Sequence, residues 1–205
     1  MTLFFNLGLP KSGTTTLATA WNEAGRRVAD WRLPKAMDPE RPFIGGLLYK
    51  GYYDSGDPLQ HLSGFDAFAE VSALAKTGNF WPQMDWGLID ALRKHHSVKF
   101  TFTHRDPVKH ADSMLRWNNL GSSRIPHSNI PGAPKGFAKG SDGLARWIEG
   151  HATFVRHVFA NDPDFLEIDV AEATAKERLE QFSGIALPWW GTANANTKNT
   201  VESDG

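Results

Sequence analysis

The 205-residue chain has no cysteine, which excludes disulfides, thiolate nucleophiles and cysteine-ligated metals together. It has almost no net charge, with 22 basic against 23 acidic side chains for a formal −1. Without a global basic field, nucleic acid is not the expected partner, and any anion binding has to be local. No apolar run is long enough for a bilayer: the first one is interrupted at Asn6 and stops at Pro10, with no basic segment before it. The expectations are therefore no membrane span and a cytoplasmic location. No internal repeat or long low-complexity tract is present. The His95–His96 pair and the His104/His110 spacing match no zinc pattern, so no metal site is expected. No G-x-S-x-G elbow is there to support a serine hydrolase.

What is present is ordinary in bulk and pointed in one place. Hydrophobic content of 40% and charged content of 22% suit a globular protein. The length suits a single domain over 1–205, with 190–205 expected to fray. The pointed stretch runs from Leu3 to Leu17: a short apolar strand, a loop bracketed by Gly8 and Gly13, then Thr14, Thr15 and Thr16 opening a helix. Leu17, Ala20, Trp21 and Ala24 recur on one helical face, and Gly25 stands where a helix-ending glycine is expected. A strand feeding a tight loop into a helix N-terminus is an anion cradle, because the first helical N–H groups lack partners and the dipole is positive there. Lys11 adds a full charge, and Ser12, Thr14 and Thr15 add hydroxyls. This is not a Walker A loop, which places lysine directly after the second glycine. Here Thr14 follows Gly13 and the lysine sits inside the loop.

Further along, Arg26 to Trp31 reads as a short strand, 32 to 64 as an irregular segment full of Pro and Gly, and Phe65 to Val71 as a strand carrying Glu70. A helix is expected over 84–95. Ser97 to Thr103 is the clearest strand, followed by His104-Arg105-Asp106-Pro107. Asp106 as N-cap and Pro107 as first helical residue start a helix that runs to about Leu120, with Val108, Ala111, Met114 and Leu115 inward. The Gly121–Gly140 stretch has no periodicity and reads as a long functional or disordered loop. Ser141 is the expected cap of the next helix, followed by a strand at Phe165–Ile168 and a helix at Ala173–Phe182 closed by Gly184. Alternating strands and helices predict an α/β protein: three layers, α/β/α, with a mostly parallel central sheet of the P-loop NTPase-like kind. Ligands bind off the carboxyl ends of such strands, which puts the Gly8–Thr15 loop, Glu70 and Arg105 on one rim.

Two separated motifs resemble one family. P-K-S-G-T-T over Pro10–Thr15 resembles the 5′-phosphosulfate loop of sulfotransferases that use 3′-phosphoadenosine 5′-phosphosulfate (PAPS). R-D-P-x-K-x-x-x-S from Arg105 to Ser113 resembles their 3′-phosphate motif. The resemblance covers residues 3 to 25 and 98 to 117, with F-D-A-F-A-E similar to a strand that ends in an acid in short relatives. It implies that Lys11, Ser12, Gly13, Thr14 and Thr15 hold the 5′-phosphate, with Lys11 also offsetting leaving-group charge, and that Arg105 and Ser113 hold the 3′-phosphate. It implies a base near a small-molecule or glycan acceptor. Glu70 is the first candidate, with His61 and His104 as alternatives. Sulfuryl transfer does not demand Mg²⁺. The end of the chain departs from the pattern: Trp189–Lys198 stands where many members carry a late glycine-and-lysine loop.

Blander readings stay open beside these. Arg105 alone fits a salt bridge at a helix start, and Glu70 alone fits a solvated strand end. Trp81, Trp86 and Trp117 serve either as core or as a sugar-stacking platform. Two other functions remain as well: a P-loop phosphotransferase using ATP and Mg²⁺, and a non-catalytic binder of nucleotide or glycan. The acceptor pocket falls to the 32–64 segment and the 122–140 loop.

Overall fold

In the computed structural model, which describes residues 2–191, the elements run in the following order. They are β1 (Leu3–Asn6), α1 (Thr14–Glu23), β2 (Val28–Ala29), α2 (Ile44–Ser55), β3 (Ala67–Phe68), the hairpin β4 (Ala73–Ala75) and β5 (Gly78–Phe80), α3 (Trp86–His95), β6 (Val98–His104), α4 (Pro107–Leu115), α5 (Gly140–Val158), β7 (Phe165–Asp169) and α6 (Ala175–Ser183). Five strands form one sheet in the order β2-β3-β1-β6-β7, and every neighbouring pair is parallel. The three-layer α/β/α expectation holds.

The layering follows from the run Leu3–Leu7. Leu3, Phe5 and Leu7 enter the core shared with α2, α3 and α5. Phe4 faces the other way, into the core shared with α1 and α6 and stacked on Trp21. Apolar residues on both faces make β1 the buried central strand. The chain leaves β1 for β2 and β3 on one side and later returns to β6 and β7 on the other. The strand order therefore reverses at the C-terminal end of β1, where a crevice opens.

The 32–64 segment is not irregular throughout, since it contains the twelve-residue helix α2. The glycines that read as breakers are close-approach positions on it. A Cβ at Gly45 would stand 2.4 Å from the Val71 carbonyl oxygen, and one at Gly51 would stand 2.6 Å from that of Asp57. Helix α4 stops at Leu115 rather than near Leu120, and Val108 is 55% exposed, its place inward taken by His110. The 121–139 stretch is a packed excursion: a π-helical turn covers Leu120–Arg124, and Ile125, Ile130 and Ala133 are buried with Leu9, Trp81 and Trp147. Its apolar residues are spaced for a single turn and a β-bridge, which no helix or strand period detects. Lys139, not Ser141, is the residue before α5. At the far end Trp189 and Trp190 pack against the α1/α6 core, so the chain is docked through that point. Lys198 lies outside the described residues. Among the described residues, no helix is long and apolar enough to cross a membrane.

Candidate functional site

The loop between β1 and α1 is shaped by two residues in the left-handed region, Lys11 at φ 71° and Gly13 at φ 112°. That alternation turns consecutive N–H groups toward one point. Gly13 has a second constraint, because a Cβ there would stand 2.5 Å from the Val170 side chain just past β7. Gly13→Ala is therefore expected to cost about 1–3 kcal/mol of stability, read as a lowered urea midpoint. The N–H groups of Gly13, Thr14, Thr15 and Thr16 have no acceptor among the described residues, whereas Leu17 donates to the Gly13 carbonyl at 3.1 Å. Four free donors at a helix N-terminus are suited to an anion.

Beneath the loop is a network that the sequence showed only as an interruption. Asn6, fully buried, donates from Nδ2 to the Ala69 carbonyl of the β3 segment at 3.1 Å and to Thr103 Oγ1 of β6 at 3.0 Å. Its Oδ1 accepts from the Thr103 N–H at 3.1 Å. Ser12 joins this network, with its Oγ 2.7 Å from Thr103 Oγ1 and its N–H donating to Leu9. Ser12 is 1% exposed, which corrects the expectation that its hydroxyl faces an anion. Ser12 anchors the loop to the strand ends instead. A polar residue cutting an apolar strand one position before its end was the available signal for Asn6.

Two cations belong to the loop and its neighbouring strand end. Arg105 follows β6, and its Nη1 donates to the Lys11 carbonyl at 3.3 Å. The Lys11 ammonium lies 3.9 Å from the centroid of the Trp117 ring. Neither makes an ion pair among the described residues, which removes the salt-bridge reading of Arg105. The Lys11 pKa is lowered, first by desolvation and then by the charge of Arg105. A pair of adjacent, partly desolvated cations is held together at a cost that a bound anion relieves.

The helix that follows Arg105 lies along the loop. Asp106 caps it, accepting from the Lys109 N–H at 2.9 Å, with Pro107 next as expected. His110 Nε2 donates to the Pro10 carbonyl at 2.7 Å. Ser113 is one turn beyond His110 on α4 and is buried. Trp117 lies past the end of α4, and its ring meets Lys11 of the loop.

Glu70 reaches the site from the opposite side, past the end of β3. Its carboxylate accepts from the Ser72 hydroxyl and N–H. Desolvation is the main cause that raises its pKa, to about 8, with the neighbouring Asp30 carboxylate adding to the rise. The Glu70 N–H donates to Asp30 Oδ1 at 3.1 Å, and desolvation raises the Asp30 pKa as well. Of the alternative bases, His104 lies 3.3 Å from Glu167. His61 is placed elsewhere. It lies 3.5 Å from Asp54, in the segment whose Asp57 meets His96 just before β6, at the other end of the sheet. Trp81 is buried against Trp147 and is core. Trp86 and Trp117 are exposed, and of these two it is Trp117 that meets Lys11.

A scan against protein-family models finds no match for this chain, and a search of curated proteins finds none either.

Proposed function

We propose that the protein is a PAPS-dependent sulfotransferase acting on a hydroxyl or amine of a small molecule or glycan. The observation that carries this reading is the spatial order of three strand ends. Glu70 follows β3, the loop follows β1 and Arg105 follows β6, three neighbouring strands in that order. Adjacent strands stand about 4.8 Å apart, so an adenosine 3′,5′-bisphosphate-sized ligand would span from the loop to Arg105. Glu70 is then left on the far side, facing an acceptor.

The residues present fit such a ligand. Four free N–H groups and unpaired Lys11 suit a 5′-phosphate, and unpaired Arg105 with Ser113 suits a 3′-phosphate, for which an arginine fork is the natural partner. The cofactor, when bound, supplies an activated sulfuryl group. Lys11 would hold positive charge beside the bridging oxygen, and the N–H groups of Gly13 to Thr15 would fix the phosphate without reorganising. The ionised Glu70 carboxylate, whose pKa of about 8 lies near working pH, would receive the proton of the acceptor hydroxyl or amine.

Calorimetric titration tests the reading first. Adenosine 3′,5′-bisphosphate (PAP) should bind without metal and more tightly than ATP with Mg²⁺. The reverse preference would replace this reading with phosphotransfer. PAP binding with no sulfate transfer to phenols, sugars or amines would leave a non-catalytic binder. Where transfer is seen, Glu70→Gln should lower kcat about a hundredfold or more while changing PAP affinity little. An unchanged kcat would remove Glu70 as the base and leave His104.

A further inference from the structure

Glu70 is held at both ends by residues that no motif in the sequence singles out. Strands β2 and β3 pair in parallel through Ala29 and Phe68, and one more bond runs from the Ala69 N–H to the Ala29 carbonyl at 3.0 Å. Beyond it β2 turns away, with Trp31 in the left-handed region at φ 57°. A bulky side chain adopts that conformation only where its surroundings enforce it. The two segments then stay joined by other means. Asp30 Oδ1 accepts from the Glu70 N–H at 3.1 Å, and the Trp31 N–H donates to the Glu70 carbonyl at 2.7 Å. Residues 30 and 31 therefore grip both main-chain polar groups of Glu70.

The carboxyl end is fixed separately. Val71 is fully buried, and a Cβ at Gly45 of α2 would stand 2.4 Å from its carbonyl oxygen, so this segment is packed hard against the helix. Ser72 follows and is 2% exposed. Its N–H, at 3.2 Å, and its hydroxyl both donate to Glu70 Oε1. Oε2 accepts no hydrogen bond among the described residues, and it is not one of the side-chain atoms sealed from water. Burial is the largest influence on the Glu70 pKa and raises it. Beyond burial, the Ser72 bonds lower that pKa and the Asp30 charge raises it. Asp30 is the charged group that acts on Glu70 most strongly, while the cations of the same rim, Lys11 and Arg105, meet each other at the loop.

We propose that Asp30 and Ser72 are positioning residues for Glu70: Asp30 fixes its main chain and Ser72 occupies Oε1, so that Oε2 alone receives the acceptor's proton. The inference rests on the reading of Glu70 as the base. The proton passes from the acceptor's O–H or N–H to Oε2, the electron pair of that bond stays on the acceptor atom, and Glu70 becomes a neutral acid.

Two variants separate the roles. Asp30→Asn keeps an oxygen for the Glu70 N–H and removes the charge. Ser72→Ala removes the hydroxyl and keeps the N–H. The Glu70 carboxyl carbon, followed by ¹³C NMR against pH, should titrate about half a pH unit or more lower in Asp30→Asn, and higher by as much in Ser72→Ala. In sulfate transfer the acid limb of kcat/KM should move in the same two directions, and Ser72→Ala should lower kcat about tenfold. PAP affinity should be unchanged in both, which also shows that they fold. In an active enzyme, a carbon titration that stays put or moves the other way, or an unchanged kcat in Ser72→Ala, overturns the positioning roles and leaves Glu70 as the base. A wild type that transfers no sulfate overturns them together with the reading beneath them.

Discussion

Arg105→Ala is expected to weaken PAP binding by about a hundredfold, close to 3 kcal/mol, with almost no change in melting temperature. The two halves of this expectation come from the same geometry. In the free protein Arg105 makes one 3.3 Å bond to the Lys11 carbonyl and has no carboxylate partner among the described residues. It also stands close enough to Lys11 for its charge to lower the lysine pKa. Removing it deletes a weak contact and relieves a repulsion, so folding changes by about 0.5 kcal/mol or less. With a 3′-phosphate bound, the guanidinium instead makes charge-assisted bonds in a partly desolvated place, where they are strongest. Arg105→Lys should recover only part of the loss, because an ammonium cannot fork. One control sharpens the result: adenosine 5′-phosphate, lacking the 3′ group, should bind wild type and Arg105→Ala almost equally. Equal PAP affinity in wild type and Arg105→Ala would sink the assignment of the 3′-phosphate to this residue.

The second large effect is on stability against pH, which should peak near 6.5. His110 and His151 are each 2% exposed, and burial is the leading cause that depresses both to about 4 from 6.5. A histidine kept neutral in the fold binds fewer protons than in the unfolded chain between those values. Its contribution is therefore complete above pH 6.5 and lost as pH falls toward 4, by up to about 3 kcal/mol for each ring. Two such losses approach the whole stability of an ordinary domain, so the protein should unfold in mild acid. Asp57 and Glu167, whose pKa values are lowered despite desolvation by bonds to His96 and Arg156, deepen the loss at the acid end. Glu70 acts in the opposite sense. Its folded pKa of about 8 exceeds 4.5, so its contribution is complete below pH 4.5 and is lost as pH rises through 8. Asp30, also raised, adds to that decline. The two histidine terms outweigh the Glu70 term up to 6.5, with Asp30 narrowing the margin, and only the falling terms remain above it. Urea unfolding at a series of pH values should trace this dome, and Glu70→Gln should flatten its alkaline side. A wild-type curve still climbing between pH 6.5 and 8 would contradict the raised pKa of Glu70.

These effects meet at the loop, because the buried histidines are part of what holds it. His151 binds the Leu7 carbonyl and His110 that of Pro10, one on each side of Gly8 and Leu9. Acid loss of these rings should release the loop along with the fold.

Reading outward from particular residues shows where the sequence was sufficient. Gly8, Gly13, Lys11 and the threonines announced a strand–loop–helix anion cradle, because free helix N–H groups and glycine's access to positive φ are local properties. Asp106-Pro107 announced a helix start for the same reason, since a cap and a fixed φ need no distant partner. The continuous apolar run of β1 and the alternation of strands with helices were enough for a three-layer parallel sheet. Helix α2 was hidden because its glycines serve packing against Val71 and Asp57, residues up to 26 positions away in sequence for Gly45. The 121–139 excursion was hidden because Ile125, Ile130 and Ala133 follow no period.

By itself, then, the chain determined its strand–loop–helix turn, its sheet and the identity of the two cations. Each of these depends on residues adjacent in sequence or repeating at a helical or strand period. Only the folded molecule decided what stands beside the cradle. Ser12 turns inward, Asn6 ties three strands together, Glu70 loses solvation beside Asp30, and His110 and His151 are buried as neutral rings. All of these rest on contacts between distant segments, and on how far each polar group is removed from water, which no local pattern of residues records.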